Sequence, residues 1–148
     1  MNEVYIMSAT RSPVGAFGGS LKDFDPVDLG AIVAKESIKR SKISPEEIGH
    51  AVFGNVIHTE PRDMYVSRVI ALNSGLNKDS CALTVNRLCG SGLQAIVSAS
   101  QLILLGDTEI ALAGGVEVMS SGTHVVKGFR WGNSCLLYTS DAADDKQC

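Results

Sequence analysis

Thr84-Val85-Asn86-Arg87-Leu88-Cys89-Gly90-Ser91-Gly92-Leu93 joins a short apolar run, Ala82 to Val85, to the longest helical pattern in the chain, Cys89 to Leu105. This run reads as a short buried strand; several strand candidates in the chain are runs of apolar residues instead of alternating patterns, as expected of a sheet covered on both faces. In the segment after it, Leu93, Ile96, Val97 and Ile103 recur at helical spacing and predict one apolar stripe. Gly90, Ser91, Gly92, Ala95, Ser98 and Ala99 are small, so neighbouring backbones can approach this helix closely. A cysteine therefore stands at a strand-to-helix junction.

That position has two readings. Unpaired N–H groups and the helix dipole favour negative charge at a helix start, so a thiol there ionises more readily, and the thiolate is the reactive form. The flanking glycines leave room for a substrate carbonyl, and the same N–H groups can hold an oxyanion as that carbonyl becomes tetrahedral. The alternative is a small residue buried in a tight turn, with no chemistry of its own.

On either side of the junction, strand and helix patterns alternate. Val4 to Ser8 reads as a first strand, followed by a loop from Arg11 to Ser20 rich in glycine. These glycines are not a dinucleotide fingerprint, because GxGxxG is absent. Asp25-Pro26 predicts a helix start, with Asp as the cap and Pro in the first turn. Val27, Ala31, Ala34 and Ile38 then form the buried stripe of a helix running to Lys39. Ser44-Pro45-Glu46-Glu47 predicts a short capped helical piece. Ala51 to Ile57 reads as a strand, Met64 to Ser74 as a helix, and Ile110 to Ala113 as a strand ended by Gly114-Gly115. The order β-α-β-α-β-α-β places the chain in the α/β class.

With 148 residues, 45% of them hydrophobic, the chain is long enough for one sizeable core. The net charge of −3 and the lack of any basic block argue against a nucleic-acid or anionic-membrane partner. The uninterrupted apolar runs fall short of the roughly 18 residues of a membrane span. The N-terminus carries no leader pattern, so a cytoplasmic protein is expected. Cys81, Cys89, Cys135 and Cys148 have neither metal-ligand spacing nor a CxxC pair and read as free thiols, with no metal expected.

Four stretches together carry a resemblance to the thiolase family, in its degradative or broad-specificity β-ketothiolase branch. Arg11 to Asp23 resembles the family's N-terminal signature. Gly54-Asn55-Val56-Ile57, with Glu60 to Tyr65 and Arg68, is similar to its second strand and the segment after it. Asn86 to Ile96 resembles the acyl-enzyme cysteine motif, and Gly114-Gly115-Val116-Glu117-Val118-Met119-Ser120 the Gly-Gly-x-Glu-x-Met-Ser segment. Ser120-Ser121 departs from the family's usual Ser-Arg.

The resemblance implies the N-terminal half of a duplicated α/β fold, a mixed sheet with helices on both faces. It implies that Cys89 takes an acyl group from acyl-CoA as a thioester. The carbanion of a second acetyl-CoA then attacks that thioester to give a 3-ketoacyl-CoA, and thiolysis is the reverse. Coenzyme A thioesters are substrates in this scheme and no bound cofactor is required; the complete protein is expected to be a homo-oligomer, a dimer or tetramer. The histidine, the Asn-containing oxyanion site and the second cysteine of the family lie beyond this chain. His50, His58 and His124 are accordingly assigned no catalytic role. The isolated chain is expected to expose an apolar face, to fold poorly and to lack turnover.

Glu117 is expected to stabilise the fold, with a proton shuttle as the alternative, and Arg62, Asp63 and Arg68 are candidates for a polar subunit contact, with an ordinary solvated face as the alternative. Two other functions stay open: a ketoacyl synthase, which also acylates a cysteine at a strand-to-helix turn, and a non-catalytic scaffold. The stretch Cys135 to Asp144 resembles a translated sequencing-library adapter. That implies an incomplete N-terminal domain over residues 1–133 and a non-native read-through tail over 134–148.

Overall fold

The computed structural model of the chain describes residues 3–128 and residue 130. The expected read-through tail, with Cys135 and Cys148, lies outside the described residues.

Among the described residues three helices and three strands alternate: α1 (Pro26–Ser41), β1 (His50–Gly54), α2 (Val66–Asn73), β2 (Cys81–Val85), α3 (Ser91–Leu105) and β3 (Ala111–Gly115). Short 3-10 turns at Pro45–Glu47, Pro61–Tyr65 and Met119–Ser121 punctuate the connections. The strands form one sheet in the order β2-β1-β3, with both pairings parallel. The α/β class is as expected; the pairings among the described residues are all parallel, a simpler arrangement than the expected mixed sheet.

Central β1 is buried from Ala51 to Gly54 and divides the core in two. Ala51 and Phe53 face a cluster with Val27, Ala34, Ile38, Val66, Ile70, Leu76 and Leu112, beneath α1 and α2. Val52 faces the other way, onto Ala95 and Ala99 of α3. A period of two along the strand thus feeds two helix layers.

α1 buries the stripe read from its sequence, Val27, Ala31, Ala34 and Ile38, together with Pro26 and Gly30. Its start differs in one detail. Asp25 holds the N-cap position but makes no side-chain cap; its carboxylate pairs with Arg62 instead. In the next connection Glu47 accepts the Ser44 N–H at 3.0 Å, the contact expected of an acidic third position.

β2 forms where the sequence predicts a strand, yet none of its residues is buried. Two further expectations are corrected. Val4 to Ser8 is not a strand of the sheet. Tyr5, Ile6 and Met7 are exposed, and the segment is tied to α1 by hydroxyls, Ser8 donating to the Ser37 carbonyl at 2.8 Å and Thr10 to the Val33 carbonyl at 3.0 Å. Strand composition alone does not make a strand; it needs a ladder partner, and no described segment supplies one.

The second correction concerns α3. Its buried residues are the small Ser91, Ala95 and Ala99, whereas Leu93, Ile96, Val97, Leu104 and Leu105 are exposed. A helix apolar on nearly every side has no single stripe to read, and its small side is the one that can come close to the sheet. Leu88–Leu105, though interrupted by Gly, Ser and Gln, has the length and mean hydropathy of a membrane span by composition alone. The helix itself has 15 residues, about 22 Å at 1.5 Å per residue, short of a hydrocarbon core of about 30 Å. One side of it packs on β1.

The approach of α3 is set by two glycines at the carboxyl end of the sheet. A Cβ on Gly54 would lie 2.6 Å from Ser91 Cβ, 2.7 Å from the Ser91 carbonyl carbon and 3.0 Å from the Gly92 nitrogen. A Cβ on Gly115 would lie 3.3 Å from Gly92 Cα. The first turn of α3 therefore rests on bare backbone. Gly54→Ala must push it away, at a cost of about 1–3 kcal/mol typical of overpacking. Gly92→Ala meets open space and is expected to be neutral or slightly stabilising. Denaturant unfolding of the two variants checks this, and equal stabilities would contradict the close seat.

Candidate functional site

Parallel strands end on one side of a sheet, and ligands in open α/β sheets gather beyond those carboxyl ends. Three segments meet there: Asn55 to Ile57 after β1, Asn86 to Gly90 after β2, and Val116 to Met119 after β3. Backbone bonds continue the ladder past the strands, Asn55 N–H to the Val85 carbonyl at 3.2 Å and Val116 N–H to the Gly54 carbonyl at 3.0 Å.

Cys89 lies in the middle segment and is exposed. It precedes the helix start: α3 begins at Ser91 with Gly90 in the cap position, so the thiol stands one residue before the cap. The chain reaches it through Leu88, whose φ of 48° lies in the left-handed region that a branched side chain seldom adopts. Asn86 Oδ1 accepts the Leu88 N–H at 3.1 Å. Two tight turns follow, Gly90 N–H to the Arg87 carbonyl at 3.1 Å and Ser91 N–H to the Leu88 carbonyl at 3.0 Å. The Ser91 hydroxyl is buried between them, accepting the Arg87 N–H at 2.8 Å and donating to the Leu88 carbonyl at 2.6 Å. Arg87 reaches forward over the helix and donates to Gln94 Oε1 at 2.6 Å.

The reading of Cys89 as a small buried turn residue does not fit this exposure. Cys81, also exposed, opens β2 at the opposite end of the strand. His50 opens β1 at that same far end, while His58 and His124 are exposed on loops. No group of three or more His, Cys, Asp or Glu among the described residues is placed to hold a metal ion.

Glu117 organises the other two segments. Its carboxylate accepts the Val56 N–H at 3.0 Å and the Ile57 N–H at 2.9 Å, and Asn55 Nδ2 donates to it at 3.4 Å and to the Val116 carbonyl at 3.0 Å. This is the fold-stabilising carboxylate expected from sequence, with its partners now identified. The serines after it reach the N-terminal loop: Ser120 Oγ accepts the Gly18 N–H at 2.9 Å, and Ser121 donates to the Lys22 carbonyl at 2.9 Å. Two of the motifs quoted from the sequence, about a hundred residues apart, are thus in contact.

Arg62, Asp63 and Arg68 all make contacts within the chain. Asp63 is fully buried, and its Oδ2 accepts the Thr59 N–H and the Thr59 hydroxyl, both at 2.8 Å, and the Glu60 N–H at 3.0 Å. Arg68 donates to the Ser80 carbonyl at 2.7 Å and the Lys78 carbonyl at 2.6 Å. Arg62 pairs with Asp25, with Asp28 at 3.6 Å and with Glu60 at 3.2 Å. Desolvation is the largest single influence on its guanidinium and pulls the pKa down. The three carboxylates together outweigh it and hold the pKa above its ordinary value.

The family description "Thiolase, N-terminal domain" matches residues 4–142 of the chain. The β-ketothiolase BktB of Cupriavidus necator is 57% identical over 130 residues, covering 88% of this chain and 33% of that protein. The human mitochondrial 3-ketoacyl-CoA thiolase is 41% identical over 129 residues, 87% of this chain and 32% of that one. Among solved structures, the human mitochondrial 3-ketoacyl-CoA thiolase in complex with CoA superposes with a TM-score of 0.84 at 40% identity, over 87% of this chain and 33% of that one. The Bacillus anthracis acetyl-CoA acetyltransferase gives 0.82 at 40% identity, over 87% and 32%. The chain spans about a third of the length of the curated relatives it matches.

Glu117→Gln replaces one acceptor oxygen by an amide that opposes a backbone N–H. The expected loss is about 0.5–1.5 kcal/mol, the net contribution of one hydrogen bond at a half-buried site, read from the unfolding midpoint. An unchanged midpoint would show that the carboxylate does not hold these segments together.

Proposed function

The chain belongs to the thiolase family, as an N-terminal domain, and from that premise we propose that Cys89 is the acyl-accepting nucleophile of a coenzyme A-dependent acyltransferase. The observation that carries this reading is the exposed thiol of Cys89 at the carboxyl end of the sheet, delivered by a turn with Leu88 in the left-handed region.

In the proposed reaction the Cys89 thiolate attacks the thioester carbonyl of an acyl-CoA. The tetrahedral oxyanion collapses, the C–S bond to coenzyme A breaks, and the acyl group is left on Cys89. Acetyl-CoA then loses a proton from its methyl carbon, and the carbanion attacks the enzyme thioester. The new C–C bond gives a 3-ketoacyl-CoA and returns the Cys89 thiolate. Thiolysis runs these steps backwards. The cysteine splits a Claisen condensation into two displacements, each with a thiolate leaving group.

The groups that move the protons belong, in this reading, to the remaining two thirds of a longer protein. That remainder would also cover the exposed face of α3, Leu93, Ile96, Val97, Leu104 and Leu105, since a helix apolar on all sides is a buried helix. The complete protein would act as a homo-oligomer on acyl-CoA and acetyl-CoA, with no resident cofactor.

The test is a full-length hybrid in which this chain's matched residues replace the corresponding third of the Cupriavidus necator β-ketothiolase. The hybrid should cleave acetoacetyl-CoA, and Cys89→Ala should lower kcat by about a thousandfold or more, as loss of a covalent nucleophile does. A hybrid without turnover, or a Cys89→Ala variant within about tenfold of its parent, would refute the assignment.

A further inference from the structure

We propose that Ser91 is a positioning residue for Cys89, acting through its hydroxyl on the peptide that carries the thiol. The proposal rests on the reading of Cys89 as the nucleophile.

Ser91 is 5% exposed, and its Cβ fills the space that a side chain on Gly54 would need. That contact fixes where its Cβ stands. From there the hydroxyl bonds both sides of one turn, accepting the Arg87 N–H at 2.8 Å and donating to the Leu88 carbonyl at 2.6 Å. Leu88 is held at its other end too, its N–H bonded to Asn86 Oδ1 at 3.1 Å. A leucine at φ 48° stays there only where its surroundings over-determine it.

The Leu88 carbonyl belongs to the peptide whose nitrogen is that of Cys89. Orienting that carbonyl therefore orients the Cys89 backbone and the direction in which its side chain leaves it. The Ser91 N–H also bonds the Leu88 carbonyl, at 3.0 Å, so an alanine at 91 keeps one restraint and loses two. The turn then survives, but more loosely. Displacements of about 1 Å at a nucleophile lower rates by on the order of a hundredfold.

The measurements are kcat, KM and the number of titratable Cys89 thiols in the full-length hybrid and its Ser91→Ala variant. Per titrated thiol, Ser91→Ala is expected to lower kcat by about 10- to 100-fold, while KM for acetoacetyl-CoA stays within about twofold, because substrate binding is left intact. A second change separates positioning from stability. Glycine takes positive φ without a Cβ clash, so Leu88→Gly in the Ser91→Ala background should recover several-fold of the lost kcat. A Ser91→Ala kcat within about twofold of the parent would overturn the proposal, as would a loss that Leu88→Gly does not relieve. The parent's own turnover, and its loss with Cys89→Ala, test the nucleophile assignment separately.

Discussion

The first turn of α3 rests against the bare backbone of Gly54 and Gly115, and the geometry around Cys89 follows from that contact. With a Cβ at residue 54 the Ser91 side chain would have nowhere to sit. With it in place, the Ser91 hydroxyl reaches the Arg87–Leu88 peptides, Leu88 is held in the left-handed region, and Cys89 stands exposed just before the helix. Small residues at 91, 95 and 99 continue the contact along the helix, onto Val52 of the central strand. Close packing makes such a surface intolerant of even one methylene.

The same end of the sheet carries a second brace. Glu117 closes the turn after β1 with two backbone N–H bonds, and Asn55 links that turn to β3. Both braces tie a polar side chain to backbone groups of a neighbouring segment, which favours one conformation over several. Between them the segments after all three strands are held in place, so that in the proposed reaction little reorganisation is left for the moment of attack.

How much of this could be read from the sequence depended on the range of each interaction. α1 is amphipathic, so its four stripe residues were legible from spacing alone. α3 is apolar on nearly every side, and spacing picked out Leu93, Ile96 and Val97, which are exposed, over Ser91, Ala95 and Ala99, which are buried. Val4 to Ser8 has strand composition, but its state is decided by a distant ladder partner that local pattern cannot reveal. The position of Cys89 leaves two readings open in the sequence, and it is the family resemblance that points to the nucleophile; local pattern does not show that the thiol is exposed. Glu117 was recognisable as a stabilising residue, yet its partners lie some sixty positions earlier. Ser91 carried a signal only in being a hydroxyl residue where a helix start has room for little else.

The central claim is that this turn presents a thiol for acyl transfer. Brief exposure of the full-length hybrid to acetyl-CoA, followed by acid quench, proteolysis and mass spectrometry, tests it most directly. The account predicts one acetyl group, on the peptide containing Cys89, removed again when coenzyme A is added before the quench. Turnover with the label on another residue, or with Cys89 remaining free throughout, would contradict it.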